Sequence, residues 1–482
     1  MRNIHVSTRT TALRVTASRY LSTTQSINPA TSEVVNEYSF ISDAAAGAIV
    51  DDAHAEFPEW SRAGFAERAA LFRKLAATLR ESKANFAHMA AVEMGKPLAE
   101  GLGEIEKCAG VCEYYADNAA TMLAPEVVDT GLDVAAGEGS YVTFSPLGVV
   151  FIVMPWNFPF WQVFRQAACG MSAGNTMVLK HAPNVFGCAQ LVEEAFLKAG
   201  FPRNAFRNLA IDGPQASELI DHPRVRAVAF TGSTPVGKII GARAGAALKP
   251  HVLELGGSDP YLILRDADIE EAAKRCAAGR LLNCGQSCIG AKRFIAVDEV
   301  YDEFEAAFAD AIEAGVTMGD PLDAATTLGP MRDAASRDGL LKQVETSIDY
   351  GARLVVGTTT PARHAFLSPI ILGDVHKGSP AYGEELFGPA ASLIRATDEA
   401  DAIAVANDTT FGLGAAVFTR DLERGARIAE HELVAGMAFV NDFVKSDSRL
   451  PFGGVKESGV GRECSHYGIK EFVNIKTVRV VK

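Results

Sequence analysis

No stretch of the chain is apolar for long enough to cross a membrane. The longest, GVVFIVMPWNF at 148–158, falls well short of the roughly 20 residues a spanning helix needs, so no membrane association is expected. There is no basic tract either. The 46 Lys and Arg against 59 Asp and Glu leave a net charge of −13, which repels a phosphate backbone and argues against nucleic acid as a partner. Cysteine is sparse: eight in 482 residues, at 108, 112, 169, 188, 276, 284, 288 and 464. That scatter excludes the disulfide framework of a small secreted domain and fits a reducing compartment. The dinucleotide fingerprint G-x-G-x-x-G is also missing, since GLGEIE, GEGSYV and GLGAAV all lack the third glycine. No His/Cys cluster has zinc spacing, so no metal is expected.

Acidic residues are absent from the start of the chain as far as Glu33, where Arg2, Arg9, Arg14 and Arg19 stand among many Ser and Thr. This composition matches a mitochondrial transit peptide cleaved near RYLST, the plainer alternative being a tail without a targeting role. The expected location is the mitochondrial matrix, or the cytoplasm if the leader is not a signal.

A chain this long, 48% hydrophobic, buries more than one core. From Asp43 to about Met122 apolar residues recur at helical spacing, interrupted at Gly95-Lys96-Pro97. Beyond GSYVTFSPLG, an alternating strand pattern, fully apolar runs alternate with helical ones: VVFIVMP, FWQVFRQAACGMSAG, NTMVLK, FGCAQLVEEAFLKAG and VRAVAFTG. Such a sequence predicts a parallel sheet covered on both faces and suggests a nucleotide fold. The alternation resumes from Asp268 to about Asn441, and the tail EFVNIKTVRVVK reads as an exposed strand seeking a partner.

FTGSTPVGKI at 230–239 ends one strand and opens a helix, where backbone N–H groups could hold a phosphate. It nearly spells a P-loop. Ile239, however, follows Lys238 where a Mg²⁺-binding hydroxyl belongs, and Pro235 removes a donor, so a P-loop nucleotide hydrolase is the weaker reading. In NCGQSCIGAKRF, Cys288 could serve as a thiol nucleophile, although no His lies near it and a lone cysteine is often simply buried.

Read together, MPWNFPFWQ, FTGSTPVGK, LELGGSDP, NCGQSCIGAKRF, EELFGP and PFGGVKESGVGRE resemble, in order, the segments of the aldehyde dehydrogenase superfamily. The resemblance runs from INPATSEVV to the C-terminus and within the superfamily is strongest to succinate-semialdehyde dehydrogenases. It implies an α/β protein with a Rossmann-type cofactor domain (26–127 and 147–253, after a leader at 1–25). An α/β catalytic domain (254–455) and a small β oligomerisation element (128–146 and 470–482) complete it, in a homodimer or homotetramer. Cys288 takes the place of the nucleophile, Glu254 the general base and Asn157 the oxyanion donor. Pro155, Trp156, Lys180, Pro183, Gly232, Ser233, Glu385 and Phe387 fall at cofactor-binding positions. A lens-crystallin-like relative without activity would be expected to lack the nucleophile or the base.

Several positions bear on specificity. Arg165 stands where semialdehyde enzymes similarly place an arginine, and a guanidinium can grip the distal carboxylate of a substrate, with Trp161 one turn away walling the tunnel. The second arginine of some relatives is Leu282 here, so Ser446, Arg449 and Phe452 are the further substrate candidates. Pro183 replaces the glutamate with which NAD-specific relatives repel a 2′-phosphate; NADP is therefore expected, with NAD possible. Ser258 replaces a lysine of the family pattern without touching the chemistry. Glutarate semialdehyde or a hydroxyaldehyde is the alternative small-molecule substrate. Cys284, four residues before the nucleophile, could form a reversible disulfide with it if Cys288 is a low-pKa thiolate.

Overall fold

The run VVFIVM forms the strand Val149–Met154, every residue of which is buried. Val150, Ile152 and Met154 pack into one hydrophobic core, whereas Val149, Phe151 and Val153 pack into another on the opposite face. A strand covered on both faces needs apolar residues at every position, which is why the sequence shows a continuous run and no alternation. In the computed structural model, which describes residues 22–132, 134 and 137–482, this strand is central to a six-stranded sheet. The predicted leader lies outside the described residues as far as residue 21.

The sheet runs Gly459–Val460, His251–Glu254, Val225–Thr231, Val149–Met154, Thr176–His181, Phe206–Asn208, parallel except for the first strand. From Val149–Met154 the chain steps outward through Thr176–His181 to Phe206–Asn208, then returns to the other side. The order therefore reverses between Val149–Met154 and Val225–Thr231, and a crevice opens at their C-terminal ends where Rossmann-type folds bind ligands.

A second, seven-stranded sheet has the order Arg353–Val356, Ile370–Gly373, Ala390–Ala396, Ala291–Val297, Asp259–Ile263, Gly414–Phe418, Met437–Val440. Only the edge strand Arg353–Val356 is antiparallel. The tail strand Val473–Val480 finds its partner in Gly139–Pro146, in register from Val473↔Pro146 to Val480↔Gly139, with Glu126–Val128 on the far side.

The helical region comprises Asp43–Arg62, Phe65–Glu81, Lys83–Met94 and Leu98–Met122. Its break lies at Gly95, which has φ 81°; a Cβ there would come within 2.7 Å of the Pro330 ring, so both the conformation and the space require glycine. The strand pair Thr23–Ile27 and Val34–Ser39 is not legible in the sequence, because its residues are mostly exposed and carry no apolar alternation. Among the described residues no helix is long and apolar enough to cross a membrane, and no group of three or more His, Cys, Asp or Glu could hold a metal ion.

Candidate active site

The crevice at the strand-order reversal is walled by residues at the C-terminal end of each strand. Pro155 and Trp156 leave the end of Val149–Met154, Gly232 and Ser233 the end of Val225–Thr231, and Glu254 closes its own strand. The Gly232 N–H donates to the Glu254 carbonyl at 3.0 Å, fixing the turn. Ser233 precedes the helix Thr234–Ala246 with extended backbone and no side-chain cap, which leaves the first-turn N–H groups, less the one Pro235 lacks, for an anion. Lys180 is half-buried with no ion pair among the described residues, and burial lowers its pKa. Pro183 opens the short 3-10 helix Pro183–Val185, and the Nδ2 of neighbouring Asn184 is a buried donor without a partner. These donors suit a phosphate-bearing dinucleotide. Lys238, the near-P-loop lysine, is instead ion-paired to Glu457 at 2.7 Å and exposed.

The loop before strand Ala390–Ala396 of the second sheet meets this end of the first sheet. Glu385 accepts from Gly257 N–H at 3.1 Å and stands 3.5 Å from the Lys292 Nζ. Phe387 meets the Trp156 ring edge to face, at 5.8 Å and 85°. The Arg332 guanidinium lies 5.1 Å from the same Trp156 ring.

Cys288 lies just beyond a loop in an uncommon conformation. Asn283, Cys284 and Gly285 all have positive φ (55°, 55° and 72°), and a Cβ on Gly285 would lie 2.2 Å from the Gly388 carbonyl oxygen. Left-handed non-glycine residues cost roughly 1–3 kcal/mol each and persist only where their surroundings hold them. Here Asn283 N–H donates to Glu100 (2.9 Å), its Nδ2 donates to the Asn157 carbonyl (2.8 Å), and Arg332 N–H donates to the Gln286 side chain (2.8 Å). The Asn157 amide is oriented by the same network: its Nδ2 donates to Gln286 O and its Oδ1 accepts from Gln162, both at 3.1 Å. One Nδ2 hydrogen therefore remains for a ligand.

Beneath Cys288, Lys292 is buried and donates to the carbonyls of Ser287 (2.8 Å) and Cys288 (2.5 Å). Burial pushes the Cys288 thiol up to about 12, against the pull of Lys292 and Arg165. Burial thus opposes the low-pKa thiolate on which a reversible disulfide with Cys284 would depend. Cys284 is buried and unbridged, its Sγ accepts from Gly329 N–H at 3.2 Å, and burial raises its pKa as well. Glu254 is fully buried with neither carboxylate oxygen hydrogen-bonded. Burial first, then the nearby Glu463 charge, raises its pKa well above the carboxylate range.

Cys288 opens into a cavity of ≈ 260 Å³ that Trp161, Arg165, Ser446 and Phe452 also line. Arg165 is not the free anchor that the sequence suggests. It is ion-paired with the buried Glu463 and packs its guanidinium 4.3 Å from the Phe452 ring centre. Burial opposes its charge, yet Glu463 keeps it protonated, and its Nη groups make no hydrogen bond among the described residues. Arg449 does not reach the cavity; it is exposed and doubly bonded to Asp447, two residues away (2.9 and 2.6 Å). Ser446 accepts from Lys107 Nζ at 2.6 Å.

Lys107 and its helix Leu98–Met122 carry the part of the site that sequence reasoning missed. Glu100, Gly103, Glu104 and Lys107 share one face of this helix and line the cavity. Their spacing is visible in the sequence, but a charged i, i+4, i+7 stripe reads as a solvated face unless something shows it to be covered.

The sequence model described as the aldehyde dehydrogenase family matches residues 15–478. The Mycobacterium tuberculosis protein named succinate-semialdehyde dehydrogenase (NADP(+)) 1 is 42% identical over 453 residues, 94% of this chain and 98% of that one. The Escherichia coli protein named succinate semialdehyde dehydrogenase (NAD(P)+) is 42% identical over 454 residues, 94% and 97% of the two chains. The crystal structure of succinic semialdehyde dehydrogenase from Streptococcus pyogenes in complex with NADP+ superposes with a TM-score of 0.91 at 36% identity, covering 95% of this chain and 100% of that one.

Proposed function

The chain belongs to the aldehyde dehydrogenase family, and from that premise we propose that it oxidises succinate semialdehyde to succinate, with NADP+ as the preferred oxidant and NAD+ tolerated. The observation that carries the substrate reading is a single cavity lined by both a cysteine thiol and cationic side chains, which suits a molecule with an aldehyde at one end and a carboxylate at the other.

Cys288 Sγ passes its proton to water and bonds to the aldehyde carbon, whose C=O π pair moves onto the oxygen. The oxyanion of the resulting thiohemiacetal takes hydrogen bonds from the free Nδ2 hydrogen of Asn157 and from the Cys288 backbone N–H. When bound, the dinucleotide supplies the hydride acceptor. Gly232, Ser233 and the first turn of the helix after them would hold its pyrophosphate, Lys180 its adenosine ribose, and Glu385 and Phe387 its nicotinamide end. The thioester left on Cys288 is then hydrolysed: Glu254 takes a proton from water, the water oxygen bonds to the acyl carbon, and the C–S bond breaks to release the acid and regenerate the thiol. Burial, which raises the Glu254 pKa, makes its carboxylate the stronger base for this step.

The 2′-phosphate reading rests on Pro183, which offers no repelling carboxylate, and on the unpartnered Nδ2 of Asn184. Initial rates with each aldehyde and cofactor test it, and an NAD+ preference would reverse the cofactor assignment. Assembly into a dimer or tetramer through the sheet containing Val473–Val480, with Ile475 and Val480 exposed, belongs to the same proposal and is read by light scattering. A mitochondrial destination rests on the arginine-rich leader and is tested by fusing residues 1–32 to a fluorescent protein.

A further inference from the structure

The cavity at Cys288 is lined by six charged side chains, four of them in ion pairs and a fifth, Glu100, whose charge burial opposes. Lys96 and Glu104 form a buried ion pair. Glu104 also accepts the backbone N–H groups of Phe160 (2.9 Å) and Trp161 (2.8 Å), so it is spent on the start of the helix Trp161–Ser172. Glu100 accepts from Asn283 N–H, and burial raises its pKa to about 7. Arg165 is neutralised by Glu463, and Lys445 is paired with Asp442 at 2.5 Å.

The sixth is Lys107. Its ammonium donates to the Ser446 hydroxyl at 2.6 Å and lies 4.4 Å from the centre of the Trp161 ring, and no carboxylate among the described residues pairs with it. A half-buried ammonium without a counter-ion is costly, and the cavity it faces is where a counter-ion can enter. A hydroxyl and a ring hold it in place, so little ordering remains when an anion arrives.

We propose that Lys107 is the specificity-determining cation of this site: with Ser446 and the free Nη donors of Arg165 it receives the distal carboxylate of the substrate, and it supplies the net positive charge that the Arg165–Glu463 pair does not. This takes the place of the second arginine that Leu282 removes. The inference rests on the substrate reading above and adds to it the residue on which discrimination between a carboxylated and an uncharged aldehyde depends.

The test uses the full chain with saturating NADP+, comparing kcat/KM for succinate semialdehyde with that for butanal, which replaces the carboxylate with an apolar end. Loss of one charge-assisted contact predicts that Lys107→Met lowers the ratio of the two about 10- to 100-fold, mainly through KM for succinate semialdehyde. Lys107→Arg, which keeps the charge, is expected to retain most of the ratio. An unchanged ratio in Lys107→Met, in an enzyme that prefers succinate semialdehyde when unmodified, overturns the role of Lys107 alone. An unmodified enzyme without that preference overturns the substrate reading itself. Equal losses on both aldehydes in Lys107→Met and Lys107→Gln would make the lysine structural and also overturn the inference.

Discussion

Arg165 and Glu463 form an ion pair buried on both sides, with side-chain exposures of 3% and 2%, that joins the helix Trp161–Ser172 to the C-terminal segment. The Glu463 carboxylate also accepts from Gln166, while its backbone exchanges two hydrogen bonds with Phe452 (2.8 and 2.7 Å), so one residue organises two that line the cavity, Arg165 and Phe452. Removing it leaves a buried guanidinium without a counter-charge. Glu463→Ala is expected to destabilise the protein by about 3–5 kcal/mol, read as a large drop in melting temperature. A change within a degree of the unmodified protein would show that the pair is not a structural joint.

Lys107 predicts a pH dependence that differs between substrates. Burial lowers its pKa to about 8, with the Arg165 charge acting in the same direction and Cys464, Cys108 and Glu104 opposing. The lysine is charged below that value and neutral above it. The ratio of kcat/KM for succinate semialdehyde to that for butanal should therefore fall as pH rises through about 8, while steps common to both substrates cancel. A ratio that stays flat across about two pH units on either side of neutral to alkaline conditions would contradict this.

The resting thiol predicts slow alkylation. With Cys288 raised to about 12, mainly by burial, the rate of iodoacetamide inactivation without cofactor should climb about tenfold per pH unit between about 7 and 10. Lys292 is the first of the charges opposing that rise, so Lys292→Met should slow inactivation further at every pH. A plateau near neutral pH would mean that the free enzyme already holds a thiolate.

Cofactor choice is expected to turn on Pro183, which stands just beyond Lys180 in the chain. Pro183→Glu would place a carboxylate beside Lys180 and Asn184, repelling a 2′-phosphate, and should raise KM for NADP+ by about tenfold or more with a smaller effect on NAD+. Parallel changes for the two cofactors would place the 2′-phosphate elsewhere.

Much of the fold can be read from the sequence because VVFIVM and VRAVAFT are buried on both faces and leave a continuous apolar signature. The order in which those strands pair is not readable, since it depends on contacts between residues far apart in the chain. Cys288, Asn157 and Glu254 are identifiable from motifs, yet their ionisation is not: a carboxylate at a strand end looks the same whether its oxygens meet water or, like those of Glu254, nothing at all. Arg165 is visible as a cation, but its neutralising Glu463 lies far along the chain. Glu104 and Lys107 are hidden for the same reason, as their partners Phe160, Trp161 and Ser446 come from other elements.

The most direct test is a steady-state comparison of succinate semialdehyde, glutarate semialdehyde and acetaldehyde, each with NADP+ and NAD+, following formation of the reduced cofactor. The highest kcat/KM is expected for succinate semialdehyde with NADP+, abolished in Cys288→Ser. A kcat/KM for acetaldehyde equal to or above that for succinate semialdehyde would contradict the assignment of this cavity to a carboxylated aldehyde.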